Sequence, residues 1–177
     1  MENTRNAKRI IVGITICVVL ALVIVFLTGV IGVTASNIEN DARKSQKIDN
    51  AWDSFGSSND KIAAFIFYNT THDYHNFSVY LNHSGLSFGY FFNDGGSSSI
   101  IMDGIHMFTY GENGSAIISM NKDRVEKIVY IDGEDVTEMF VDPARPFTAV
   151  IPAIADSIAL YDETGIQLPI TVLEQRG

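Results

Sequence analysis

Residues 10–35 form a run of 26 residues without one charged side chain, directly after Lys8 and Arg9. Such a run constrains everything that follows, because a helix this apolar belongs in a bilayer. A hydrocarbon core of roughly 30 Å takes about 20 apolar residues in helical form, so the run predicts a transmembrane helix over 10–35. Seventeen of the 26 are Leu, Ile, Val or Phe. Each contributes about −0.3 to −0.6 kcal/mol toward insertion at a central position. Val33-Thr34-Ala35 before Ser36 fits a signal-peptide cleavage site, yet a signal peptide's apolar region spans only about 7–15 residues. A pilin-type leader would need a glycine–aromatic cleavage site that is absent here. Arg5, Lys8 and Arg9 crowd the amino side, whereas the first basic residue beyond the run, Arg43, follows Glu39 and Asp41. Positive charge stays on the cytoplasmic side. The expectation is a cell-membrane protein crossing once, with a short inner tail (1–9) and an extracytoplasmic domain.

Residues 36–177 carry a net charge of −11. Such a surface repels phosphate backbones, which argues against a nucleic-acid partner. Cys17, the only cysteine, lies inside the apolar run, so the outer part has no disulfide and must rely on its core. Four Asn-x-Ser/Thr sequons, at Asn69, Asn76, Asn82 and Asn113, read as loop composition.

Past the run, Ser36-Asn37-Ile38-Glu39 has capping-box spacing. Ile38, Ala42, Ile48, Trp52 and Phe55 fall loosely on one helical face, and Glu39 pairs with Arg43 at i,i+4. This predicts a helical stalk over 36–60, closed by Gly56-Ser57-Ser58-Asn59. Its apolar stripe needs cover from its own domain, from another copy or from a different membrane protein. Thr28 and Gly32 have the small-xxx-small spacing of close helix pairs, so a homo-oligomer through anchor and stalk is one expectation.

From Lys61 the pattern changes to short apolar or alternating runs separated by turn residues. The runs are 62–68, 77–82, 86–92, 99–102, 105–110, 116–120, 127–131, 136–141, 147–151 and 157–161. His83-Ser84-Gly85, Asp94-Gly95-Gly96, Asn113-Gly114, Asp132-Gly133 and Glu163-Thr164-Gly165 supply turn chemistry. Residues 61–177 therefore predict an all-β extracytoplasmic domain, an antiparallel sandwich or open barrel, with a helical turn only over Asn121–Glu126. The stretch from Val125 to Leu168 resembles, in general pattern, β-rich modules of anchored bacterial envelope proteins.

Motifs for chemistry are weak. Gly85-Leu86-Ser87-Phe88-Gly89 matches the string of an esterase nucleophile elbow, but no helix pattern follows it and His106 is the only downstream histidine. His72, Asp73 and His75 offer metal ligands, in a loop without the fixed spacing of a helix face. Two acidic turns, Asp132-Gly133-Glu134-Asp135 and Asp162-Glu163-Thr164-Gly165, lack the ligand spacing of a calcium loop. Leu168-Pro169-Ile170-Thr171 resembles a sortase signal but has Val172 where glycine is required. Twelve of the 19 aromatics lie between Phe65 and Tyr110, and Phe91, out of phase with its neighbours, is the one expected on a binding surface. The functional expectation is a non-enzymatic interaction module or accessory subunit of a membrane complex, with no cofactor. Its partners are the bilayer through 10–35 and a protein of the membrane or envelope. Glycan or divalent-cation binding is the alternative, and hydrolysis comes third.

Overall fold

The computed structural model describes residues 11–21, 23, 31–82 and 88–174. The apolar run does not take the form expected of it. Residues 11–21 are helical, 10, 22 and 24–30 lie outside the described residues, and Ile31 and Val33 sit in β-bridges. Among the described residues no helix is long and apolar enough to cross a membrane, so a membrane helix over 10–35 is not found. The end of the run has a physical reason to leave the helix. Ile31-Gly32-Val33-Thr34 combines β-branched residues, which favour extended backbone, with a glycine, which weakens a helix. The inner tail, 1–9, lies outside the described residues.

The rest is mostly β-sheet. Its strands are β1 (Asp53–Ser58), β2 (Ile62–Tyr68), β3 (His75–Asn82), β4 (Tyr90–Gly96), β5 (His106–Thr109), β6 (Ser115–Ser119), β7 (Val125–Asp132), β8 (Asp135–Phe140), β9 (Phe147–Ile151), β10 (Ser157–Asp162), β11 (Gln167–Leu168) and β12 (Thr171–Glu174). They form three four-stranded sheets, ordered β1-β2-β3-β4, β12-β5-β6-β9 and β11-β10-β7-β8. The first and third are antiparallel throughout. The second is mixed, because β12 runs parallel to β5. Helix α1 (Ile38–Ser45) follows a 3-10 turn at Ala35–Asn37, and α2 (Ser99–Met102) is a single turn.

Side-chain parity stacks these elements. In β2, Ile62, Ala64, Ile66 and Tyr68 face the second sheet, where they meet Phe108, Ala116 and Ile118. The intervening Ala63 and Phe67 face Ile38 and Ala42 of α1. On β6 the alternate residue, Ile117, turns the other way and joins Val125, Ile128 and Leu160 of the third sheet. The order of layers is helix, first sheet, second sheet, third sheet. That explains two runs that do not alternate, Ile62–Tyr68 and Ser115–Ser119: both strands are buried on both faces. Where β9 ends the second sheet, Ser57 Oγ accepts a hydrogen bond from Val150 N at 3.2 Å, which ties that edge to β1.

The segment expected as a helical stalk is helical only over Ile38–Ser45. Residues 53–58 are a strand paired with β2, because Phe55 and Gly56 find an open sheet edge there. Ile38 and Ala42 are fully buried under the helix, so the apolar stripe packs on this chain's own sheet. Glu39 does not close a capping box; the N-cap Asn37 makes no side-chain cap bond. Instead the Glu39 carboxylate accepts hydrogen bonds from Ser54 Oγ at 2.7 Å and Arg43 Nε at 3.0 Å. These contacts, the Ser54 bond first, hold it below the usual carboxylate range.

Three local expectations also change. Asp94-Gly95-Gly96 ends a strand rather than forming a turn, with Gly95 pressed against Phe77. Ser99–Met102 is helical rather than extended. Asn121–Glu126 is not helical but a turn that runs into β7 at Val125: Asn121 Oδ1 accepts from Val125 N, and its Nδ2 donates to the Val125 and Asp142 carbonyls.

Candidate functional site

The structure separates the three loop residues with ligand chemistry. His75 opens β3 and is buried, with Nδ1 3.1 Å from Met102 Sδ and Nε2 accepting from Ser98 N at 3.4 Å. Burial pushes its pKa below the ordinary histidine value. His72 occupies a left-handed position in the preceding turn, edge-on to Tyr68 at 5.0 Å, and Asp73 is exposed. Asn69 organises that turn by accepting from the backbone N–H groups of Asp73 and Tyr74. Among the described residues, no three His, Cys, Asp or Glu side chains gather where they could hold a metal ion.

Other motifs resolve into structural work. Residues 85–87 of the elbow-like string lie outside the described residues; Phe88 and Gly89 run along Ile31–Val33. Asp162 Oδ1 accepts from Thr164 N, Thr164 Oγ1 and Ile166 N, so this carboxylate is engaged by its own turn. Those bonds, the Thr164 hydroxyl first, lower its pKa. Glu163 pairs with Arg124 at 2.6 Å. Asp132-Gly133-Glu134-Asp135 is a two-residue hairpin turn in which Asp132 pairs with Asp135 and Gly133 supplies the positive φ of +59°. Phe91, expected on a binding surface, is half-buried on the β4 face shared with Leu81, while Phe88 and Phe92, of the other parity, are the exposed ones.

Two clefts open near β12. One, of about 470 Å³, is lined by Met107, Asp156, Ile158, Gln167, Pro169 and Val172. The other, of about 450 Å³, places His106 near Asp103 and Asp123, and Lys122 engages Asp103 at 3.5 Å. Deeper in the core, Tyr110 donates to Asp94 at 3.4 Å, and burial followed by that carboxylate raises the phenol's pKa.

The feature that departs most from what a solvated sheet requires is the outer face of the third sheet. Strand parity sends Ile128, Tyr130, Met139, Ile158 and Leu160 inward to the core. It sends Lys127, Val129 and Ile131 of β7, Val136, Glu138 and Phe140 of β8, and Ala159 and Tyr161 of β10 outward. Cross-strand pairs on this face are Ile131 with Val136, Val129 with Glu138, and Lys127 with Phe140. Ala159 and Tyr161 continue the same rows opposite Val129 and Lys127. Val136 is 61 % exposed and Phe140 71 %. An antiparallel sheet facing water on one side normally puts polar residues there. Here Ile131, Val136 and Phe140 stay exposed beside one ion pair, Lys127 Nζ to Glu138 Oε1 at 3.3 Å, while the polar Ser157 and Gln167 lie toward the opposite side of the face, across from Ile131 and Tyr161; the Lys127 ammonium lies 5.3 Å from the Tyr161 ring centroid. Strand β8 is the edge of its sheet. Acidic residues stand at both ends of the face, with Asp132, Glu134 and Asp135 at the hairpin and Glu126 and Asp162 opposite, where Arg124 neutralises Glu163.

This face is absent from the sequence-based expectations, although its signal is present. Val125–Asp132 reads V-E-K-I-V-Y-I-D, apolar at both parities from Ile128 to Ile131. That pattern says both faces of β7 repel water, but the fold covers only one of them. Compared with protein-family models, with curated proteins and with solved structures, the chain matches none of them.

Proposed function

We propose that this protein is a membrane-anchored, non-enzymatic interaction module whose working surface is the outer face of the third sheet. The observation that supports the reading is the row of apolar side chains on β7 and β8, exposed where a solvated strand would carry polar ones. The occupant is a different protein with an apolar centre and a basic rim. Charge decides between this and a second copy. The acids at both ends of the face would meet the same acids on another copy, and like charges in contact cost several kcal/mol. A basic partner instead gains from them, both in affinity and in the rate of encounter.

Anchoring rests on the sequence. The uncharged run of 26 residues and the three basic residues ahead of it favour insertion with the domain on the extracytoplasmic side. A photocrosslinking residue placed at Val136 or Phe140 in living cells should capture one discrete protein. The same residue at Tyr74, exposed in the turn before β3, should capture none. Equal labelling from both positions, or adducts with a second copy alone, would reject the proposed surface. Release of the protein from membranes by alkaline carbonate would reject the anchor.

A further inference from the structure

The last residues of the apolar run are already part of the folded domain. Gly32 N donates to Phe88 O at 2.6 Å, Val33 N donates to Tyr90 O at 2.8 Å, and Tyr90 N donates back to Val33 O at 2.8 Å. The two backbones approach so closely that a Cβ on Gly32 would lie 2.5 Å from the Tyr90 carbonyl oxygen. One on Gly89, at φ +92°, would lie 2.7 Å from Val33 O. Only glycine fits either place. Three residues beyond Ala35, Ile38 is fully buried against the first sheet. No free linker therefore separates the run from the domain.

Resting on the anchored reading above, the geometry points to a domain seated flush on the bilayer, with Ile31 and Phe88 immersed in its interfacial layer. Both side chains are exposed, Ile31 at 57 % and Phe88 at 69 %, and a β-bridge joins the two residues. Neither is covered by the domain, and both stand where the uncharged run enters it. Placing them in water would cost what immersion gains, since phenylalanine and isoleucine both favour the headgroup–acyl boundary over water. The contact stays small, because the net charge of −11 on residues 36–177 opposes broader adhesion to anionic lipid.

Full-length protein in vesicles of phosphatidylethanolamine and phosphatidylglycerol, carrying a nitroxide lipid labelled near the headgroup, tests this. The single native tryptophan is first replaced (Trp52→Phe), and one new tryptophan is introduced at a time. Ile31→Trp and Phe88→Trp should be quenched by the labelled lipid and shifted to the blue. Tyr74→Trp is the control, because Tyr74 is as exposed as Phe88, at 68 %, but lies in the turn at the other end of β3. It should be quenched only by aqueous iodide. Adding Gly32→Val to Phe88→Trp should abolish the lipid quenching by forcing the seam apart. If the protein resists carbonate extraction while Phe88→Trp behaves like Tyr74→Trp, the flush seating is overturned and the anchor stands. If carbonate releases the protein, both readings fall.

Discussion

The two outer faces of the stack began with the same problem and were treated differently. The first sheet turns Ala63, Phe67, Tyr80 and Tyr90 outward, and α1 covers them with Ile38 and Ala42. The third sheet turns Val129, Ile131, Val136 and Phe140 outward, and the last three remain exposed. The covered face is bound down by polar contacts as well. Tyr80 donates to Asp41 at 2.7 Å, Gln46 Nε2 donates to Ser78 Oγ at 2.7 Å, and Arg43 lies 4.9 Å from the Phe67 ring centroid. The open face has a single ion pair whose two ends remain partly in water. One apolar face is thus part of the core, and the other, on the function proposed above, is the surface that a partner would cover. Stability and binding should accordingly separate between them.

Substitutions can break that separation. The largest effect is expected from Phe67→Ala, which removes a fully buried ring between α1 and the first sheet; chemical denaturation should show a loss of about 3–5 kcal/mol. A loss below about 1 kcal/mol would mean that α1 covers the sheet without packing on it. Next, Tyr80→Phe deletes the donor to Asp41, a carboxylate that keeps some contact with water, and should cost about 1.5 kcal/mol.

The buried His75 sharpens the comparison through pH. Its pKa is lowered in the folded state, so the unfolded chain binds more protons below the ordinary histidine value. Stability from this group is complete above about pH 6.5 and falls as pH drops below it. His75→Gln should flatten that part of the stability profile measured by thermal melting. The smallest effect is expected on the open face: Val136→Ser and Phe140→Ser should each change stability by less than about 0.5 kcal/mol. They should nevertheless abolish the crosslinks formed from that face. A large loss of stability at either position would show that the face serves folding.

Strand positions were legible where turn chemistry bracketed them. Phe147–Ile151 appears at the boundaries its residues suggest, and the Asp132-Gly133 hairpin forms as its glycine requires. What was not legible was layering. Ile62–Tyr68 and Ser115–Ser119 lack alternation because two neighbours bury them, and no local pattern says which neighbours those are. The stalk misled for a related reason. Phe55 has helical spacing from Trp52, but β2 offers a row of unpaired backbone groups, and pairing with an edge outweighs a weak helical stripe. Phe91 was read from period alone, whereas the face it occupies depends on a bulge opposite Val79 and Tyr80.

The parallel pairing of β12 with β5 carries a consequence for biogenesis. Thr171 lies beside His106, so the second sheet, on which both neighbouring layers pack, has an outer strand that leaves the ribosome long after its centre does. Until that strand arrives, β5 presents an open edge beside Ile105 and Phe108, which are buried in the finished domain. A newly made chain spends that interval with its middle layer unfinished, the state in which sheet edges recruit wrong partners. The domain's vulnerable moment is thus its synthesis, and a holding chaperone would matter most during that interval.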